Sequence, residues 1–190
     1  MKHLIALLLL LGSVSAFALE NGKPAPDFFG KLKQYQGKTI VLEWLNHGCP
    51  FVRKHYDSGN MSALQKEFTG KDVVWLSIIS SAKGTQGWVT KEDAAKEKAK
   101  YKSIATEIIL DEEGVVGRMY EAKTTPHMYI INKNGILVYQ GAIDSIADTN
   151  QDSIKKAEPW FRDALSETLE GKKVKRSTTK AYGCAVKYKD

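Results

Sequence analysis

The chain has 190 residues, and 43% hydrophobic with 26% charged residues is a globular composition that excludes disordered and fibrous classes. The net charge is +6, with acidic residues interleaved among the basic ones, which argues against a dedicated nucleic-acid binder. Only two cysteines occur, Cys49 and Cys184, so a scaffold stapled by many disulfides is excluded.

Met1-Lys2-His3 is a short basic start, Leu4 to Leu11 is an unbroken apolar run, and Ala16-Phe17-Ala18 closes a small-residue stretch. These are the three parts of a secretory signal peptide over residues 1–18, with cleavage expected after Ala18. The apolar run falls well short of the about 20 residues that span a bilayer, and no cysteine closely follows it to carry a lipid, so no membrane anchor is expected. The mature chain is then expected in the periplasm or outside the cell, where disulfides persist. No repeat or linker divides the rest, which reads as one domain over residues 19–170 and a tail over residues 171–190 that carries Cys184.

Lys23 to Phe28 is expected to be extended, because each proline disfavours the helical region for the residue before it. Thr39 to Leu45 is an apolar, β-branched run of buried-strand type. A helical pattern starts after Gly48-Cys49-Pro50 and resumes past an irregularity at Ser58-Gly59-Asn60, with Met61, Leu64 and Phe68 on one face. Val73 to Ile79 is a second buried strand, and Thr90 to Asp93 carries a capping-box pattern that opens a charged helix. Ile108 to Leu110 is short and extended, and Val115 to Tyr120 helical. Met128 to Ile131 and Ile136 to Ile143 flank Asn132-Lys133-Asn134-Gly135 as a hairpin. Ile154, Ala157, Phe161, Ala164, Leu165 and Leu169 mark a last amphipathic helix, with Pro159 kinking it or lying in its first turn. Such alternation predicts an α/β fold with a central mixed β-sheet flanked by helices on both faces. Trp44, Trp75 and Trp160 are expected in the core, and the basic run Lys172 to Lys180 as a solvated segment. Asn60-Met61-Ser62 has the form of a glycosylation acceptor.

The chemistry concentrates at Trp44 to Val52. A cysteine that leaves a strand and enters a helix, with proline next, lies where unpaired amide N–H groups and the helix dipole favour negative charge. The Cys49 thiolate should therefore be stabilised. The alternative is a buried inert cysteine, since cysteine packs as a small apolar group. Thr124-Thr125-Pro126 directly precedes a strand, where a proline cannot donate to the ladder, and a cis Thr125-Pro126 bond would account for it.

This pattern resembles the thioredoxin-like superfamily, in which a cysteine at the start of the first long helix faces a cis-proline loop. Asn46-His47, Cys49-Pro50-Phe51, the Thr125-Pro126 loop, the Gly135 hairpin and the tail Tyr182-Gly183-Cys184-Ala185-Val186-Lys187-Tyr188 resemble more narrowly the peroxiredoxin-like redoxins of the alkyl-hydroperoxide-reductase/thiol-specific-antioxidant group. The resemblance implies a thioredoxin-like fold, a nucleophilic Cys49, no cofactor, and a substrate groove shaped by Thr125, Pro126 and Pro50. The chain departs from both patterns. Val52 stands where thioredoxin-type enzymes carry their second cysteine, and also where peroxiredoxins carry the peroxidatic one.

What remains is a thiol-disulfide oxidoreductase or peroxiredoxin-like antioxidant protein in which Cys49 attacks a disulfide or oxidant and Cys184 resolves the product. Its partners would be a protein or small-molecule disulfide or oxidant and a thiol reductant. Arg53, one turn after Cys49, is a candidate cation beside the thiolate. Two alternatives stand: a copper or zinc site built from Cys49 with His47, His55 or His127, and a binding domain in which a Cys49–Cys184 bridge is merely structural.

Overall fold

The computed structural model describes residues 19–189, so the expected signal peptide lies outside the described residues. The two continuous apolar runs become the central strands β1 (Thr39–Trp44) and β2 (Val73–Ile79), every residue of which is buried. Strands covered on both faces need no polar side, which is why these runs show no alternation. They pair in parallel, Thr39 opposite Val73 and Trp44 opposite Ile78, and β3 (Glu107–Leu110) continues the parallel set beyond β2.

The other half of the sheet is antiparallel. Strand β4 (Thr124–Thr125) is a two-residue piece outside the main sheet, β5 (His127–Ile131) lies beside β1, and β6 (Leu137–Gly141) closes the hairpin. The resulting order is β3-β2-β1-β5-β6. Gly135 accepts the left-handed conformation that the hairpin turn requires, at φ 77.

Alternate residues of β1 feed two cores. Ile40, Leu42 and Trp44 pack with Phe28, Tyr120 and Tyr129 on the face covered by α1 (Lys31–Gln34) and α5 (Val115–Met119). Val41, and Leu45 just past the strand's end, pack on the opposite face with Val52, Met61, Phe68 and Phe161, which belong to α2 (Pro50–Asp57), α3 (Asn60–Thr69) and α6 (Trp160–Leu169). The expected irregularity is Gly59, at φ 76, which separates α2 from α3. Thr90 caps α4 (Lys91–Lys100) by accepting from the Asp93 N–H at 3.1 Å. The mixed sheet with helices on both faces is the expected architecture.

Two local expectations differ. The last helix starts at Trp160 rather than near Ile154; residues Gln151–Lys156 form a separate 3-10 turn, and Pro159 precedes α6 because it has no N–H to continue a helix through it. Trp160 is therefore only half-buried; its indole N–H donates to Glu158 and the Arg176 guanidinium stacks on its ring, whereas Trp44 and Trp75 are fully buried. The basic run keeps its charges in solvent, but its backbone follows the edge of β6: Gln140 N–H donates to Ser177 O, and Thr179 N–H to Gln140 O. Asn60 Nδ2, the atom a glycan would take, is bonded to His55 Nδ1 at 2.9 Å.

Candidate active site around Cys49

Cys49 is the residue that caps the N-terminus of α2, with Pro50 in the first helical position. The turn that delivers it is braced from two sides. Gly48 N–H donates to the Asn46 side chain at 2.8 Å, and the Gln86 side-chain amide donates to Gly48 O at 2.8 Å. Across from the sulfur lies the Thr125-Pro126 loop, whose peptide bond is cis. In the thiol form Cys49 Sγ donates to Thr125 O at 3.1 Å.

The tail closes this arrangement. Strand β7 (Cys184–Ala185) pairs antiparallel with β4, setting Cys184 opposite Thr125. The Cys184 backbone N–H points at Cys49 Sγ from 3.4 Å. Beyond Cys184 the tail is tied down by Val186 N–H to Lys123 O, by Ala82 N–H to Lys187 O, and by Tyr188, whose hydroxyl donates to Ala122 O. Cys49 is fully buried beneath it, while Cys184 is half-buried, and both are free thiols.

Electrostatics separates the two sulfurs. Burial pushes the Cys49 thiol up, but the Cys184 thiol, the N–H groups of Val52 and Cys184, and the Thr125 hydroxyl together outweigh it, and the net displacement is downward. The Val52 amide is the helix N-terminus acting as expected. Thr125 Oγ1 is buried with no hydrogen-bond partner among the described residues, which leaves it able to turn toward a thiolate. For Cys184, burial, its hydrogen bond to Cys49 and the Cys49 charge raise the pKa to about 11. Cys49 is therefore the group that ionises first.

Cys49, Thr125, Pro126 and Cys184 are thus gathered at one point, with exposed Pro50 at the rim. Arg53 is not part of it: its guanidinium pairs with Asp57 at 3.3 Å on the exposed face of α2. The histidines do not converge either. His47 stacks on Tyr101 at 4.3 Å, His55 is held by Asn60, and His127 Nδ1 meets the Tyr129 hydroxyl at 3.0 Å. No group of three or more His, Cys, Asp or Glu side chains among the described residues is placed to hold a metal ion. A cleft of about 810 Å³ lies away from Cys49, around the start of β1 and the Asn132–Asn134 turn.

The sequence of residues 16–140 matches the AhpC/TSA family. The chain belongs to the AhpC/TSA family. It is a thioredoxin-like redoxin, and solved structures similar to it share that fold. An uncharacterised conserved protein from Geobacillus kaustophilus superposes with TM-score 0.73 at 23% identity, covering 91% of this chain and 94% of that one. A hypothetical protein from Sinorhizobium meliloti gives 0.73 at 20% identity over 90% and 96%. A protein proposed as the thiol:disulfide interchange protein DsbE from Chlorobium tepidum gives 0.56 at 22% identity over 81% and 98%. No match was found among curated proteins. No helix among the described residues of this redoxin is long and apolar enough to cross a membrane.

Gln86, Lys54 and Asp144 at this site carried no sequence signal. Gln86 comes from a loop far from Cys49 in the chain. Lys54, Asp144 and Tyr182 form a buried polar cluster beside α2 whose members are distant in sequence.

Proposed function

We propose that this redoxin is a thiol-disulfide oxidoreductase in which Cys49 is the nucleophile and Cys184 the resolving thiol. The observation that carries the reading is the pairing of Cys184 with Thr125 directly over Cys49, with the Cys184 N–H 3.4 Å from the sulfur. A resolving thiol must be able to reach its partner, and bridging requires Cα atoms within roughly 7 Å.

In the first step the Cys49 thiolate attacks one sulfur of a substrate disulfide, forming a mixed disulfide and releasing the other sulfur as thiolate. Burial and Cys49 itself hold the Cys184 proton in the resting state. Once Cys49 is bonded to substrate its charge and acceptor are gone, so two of the influences that raised Cys184 vanish and its thiolate becomes accessible. Cys184 then attacks Cys49 Sγ, the intramolecular bridge forms, and the substrate leaves reduced by two electrons. A dithiol reductant returns the bridge to two thiols. The leader-like residues 1–18 favour an oxidising compartment outside the cytoplasm as the place of action.

Intact mass after reaction of the reduced mature chain with one equivalent of a small disulfide tests this. The expected product is a monomer lighter by two hydrogens, with the small disulfide reduced. Two free thiols, or a disulfide-linked dimer, would overturn it.

A further inference from the structure

Tyr182 lies two residues before Cys184, and its side chain enters a pocket that the redox step does not use. Its hydroxyl donates to Asp144 Oδ1 at 2.5 Å and lies 3.4 Å from His55 Nε2. Its ring packs on Phe51 at 5.9 Å, and the Lys54 ammonium lies 5.7 Å from its centroid. The side chains of Lys54 and His55 are fully buried, and that of Asp144 nearly so. Lys54 is independently satisfied by Ile146 O at 2.8 Å and Asp148 at 3.1 Å, so the pocket is braced apart from its occupant.

The pocket's place in the fold gives it a purpose. Phe51, Lys54 and His55 stand on α2, the helix that Cys49 caps, so the distance from pocket to sulfur is set by a rigid element. Only Gly183 separates Tyr182 from Cys184. Gly183 passes so near the Thr125 carbonyl that a Cβ there would lie 2.0 Å from its oxygen. With Tyr182 seated, the one intervening residue leaves Cys184 beside Cys49, its N–H 3.4 Å from the sulfur. We propose that Tyr182 is a positioning residue whose clamp on Phe51, Lys54, His55 and Asp144 holds Cys184 over Cys49, and that bulky disulfides reach Cys49 only after Tyr182 leaves its pocket. The first half rests on the resolving role of Cys184; the second needs only the closed tail.

The experiment has two arms on the mature chain. In a Cys184→Ser background, Cys49 is alkylated with iodoacetamide and with a polyethylene-glycol maleimide. Tyr182→Ala should raise the bulky-to-small rate ratio by about tenfold or more, and Tyr182→Phe, which keeps the ring but cannot reach Asp144 as a donor, by part of that. With both cysteines present and one equivalent of hydroxyethyl disulfide, Tyr182→Ala should accumulate the mixed disulfide on Cys49 because closure slows by about tenfold or more. Circular dichroism confirms that the variants remain folded, and Asp144→Asn should move the ratio in the same direction as Tyr182→Phe. An unchanged ratio and unchanged closure in folded Tyr182→Ala would overturn the clamp. A native chain that never bridges removes the resolving role instead, and the alkylation ratio still decides the clamp because that arm contains no Cys184 thiol.

Discussion

The backbone N–H of Cys184 points at the sulfur of Cys49 from 3.4 Å, across 135 positions of sequence. The same two residues displace each other's pKa in opposite directions, Cys49 downward and Cys184 up to about 11. Cys49 is thereby the first of the two sulfurs to ionise.

Cys184→Ala should move the Cys49 alkylation midpoint upward. It removes the Cys184 thiol, the largest of the contacts that oppose the effect of burial on Cys49. Peptide-resolved alkylation of the reduced chain across pH compares the variant with the native protein. A midpoint equal to or lower than the native one would refute the assignment.

Gly183→Ala should uncouple the cysteines without unfolding the domain. At φ 138 and with Thr125 O in the way, the added methyl forces the tail off β4. Bridge closure should slow by about 10²-fold, since a displacement of an ångström at a reacting centre is enough for that. The measurements are the closure time course by mass and the thermal midpoint, which should shift by no more than a few degrees because β7 is only a two-residue strand paired with β4 outside the main sheet.

Glu43→Ala should be among the most destabilising single changes. The fully buried Glu43 carboxyl accepts from Trp75 Nε1 at 2.7 Å, Tyr56 Oη at 2.8 Å, Ser77 Oγ at 2.9 Å and Gln65 Nε2 at 3.3 Å. Burial outweighs these donors and raises its pKa, so the carboxyl is retained at some electrostatic cost. Removing it leaves the donors unpaired at about 1–3 kcal/mol each, and a total loss of about 3 kcal/mol or more is expected in urea unfolding. A loss under about 1 kcal/mol would show that the network contributes little.

Acid should destabilise the fold well above the carboxylate range. Burial lowers the pKa of His47 to about 4, of His55 to about 4 and of His127 to about 3. A histidine depressed in the folded state binds protons more readily when unfolded. Its stabilisation is present above about pH 6.5 and is lost as pH falls toward the folded value. Each contributes up to about 1.4 kcal/mol of lost stability per pH unit in that window. Urea unfolding from pH 7 to pH 5 should show the decline, and His127→Gln should reduce its slope. A flat profile would contradict the three burials.

The local elements were legible because their signals are local. Unbroken apolar runs marked β1 and β2 as strands covered on both faces; Thr90 announced the start of α4; the Asn132–Gly135 turn announced the hairpin. Cys49 stood out because a cysteine followed by proline at a strand-to-helix junction has a defined electrostatic setting before any tertiary contact is known. Arg53 misled for a related reason: helical spacing places it one turn from Cys49, but spacing does not say that Asp57, four residues on, competes for the guanidinium.

The sequence by itself therefore determined the sheet and the helix that presents Cys49, and singled out Cys49 and Cys184 as its two thiols, all consequences of hydrophobic period, turn chemistry and residue count. Only the tertiary structure decided that the tail lies across the site, that Tyr182 is seated among Phe51, Lys54, His55 and Asp144, and that Glu43 collects four donors in the core. Those contacts join elements far apart in the chain, and no local propensity encodes which distant groups will meet. They are chosen by how the packed layers bring side chains together, and by the cost of leaving any buried polar atom without a partner.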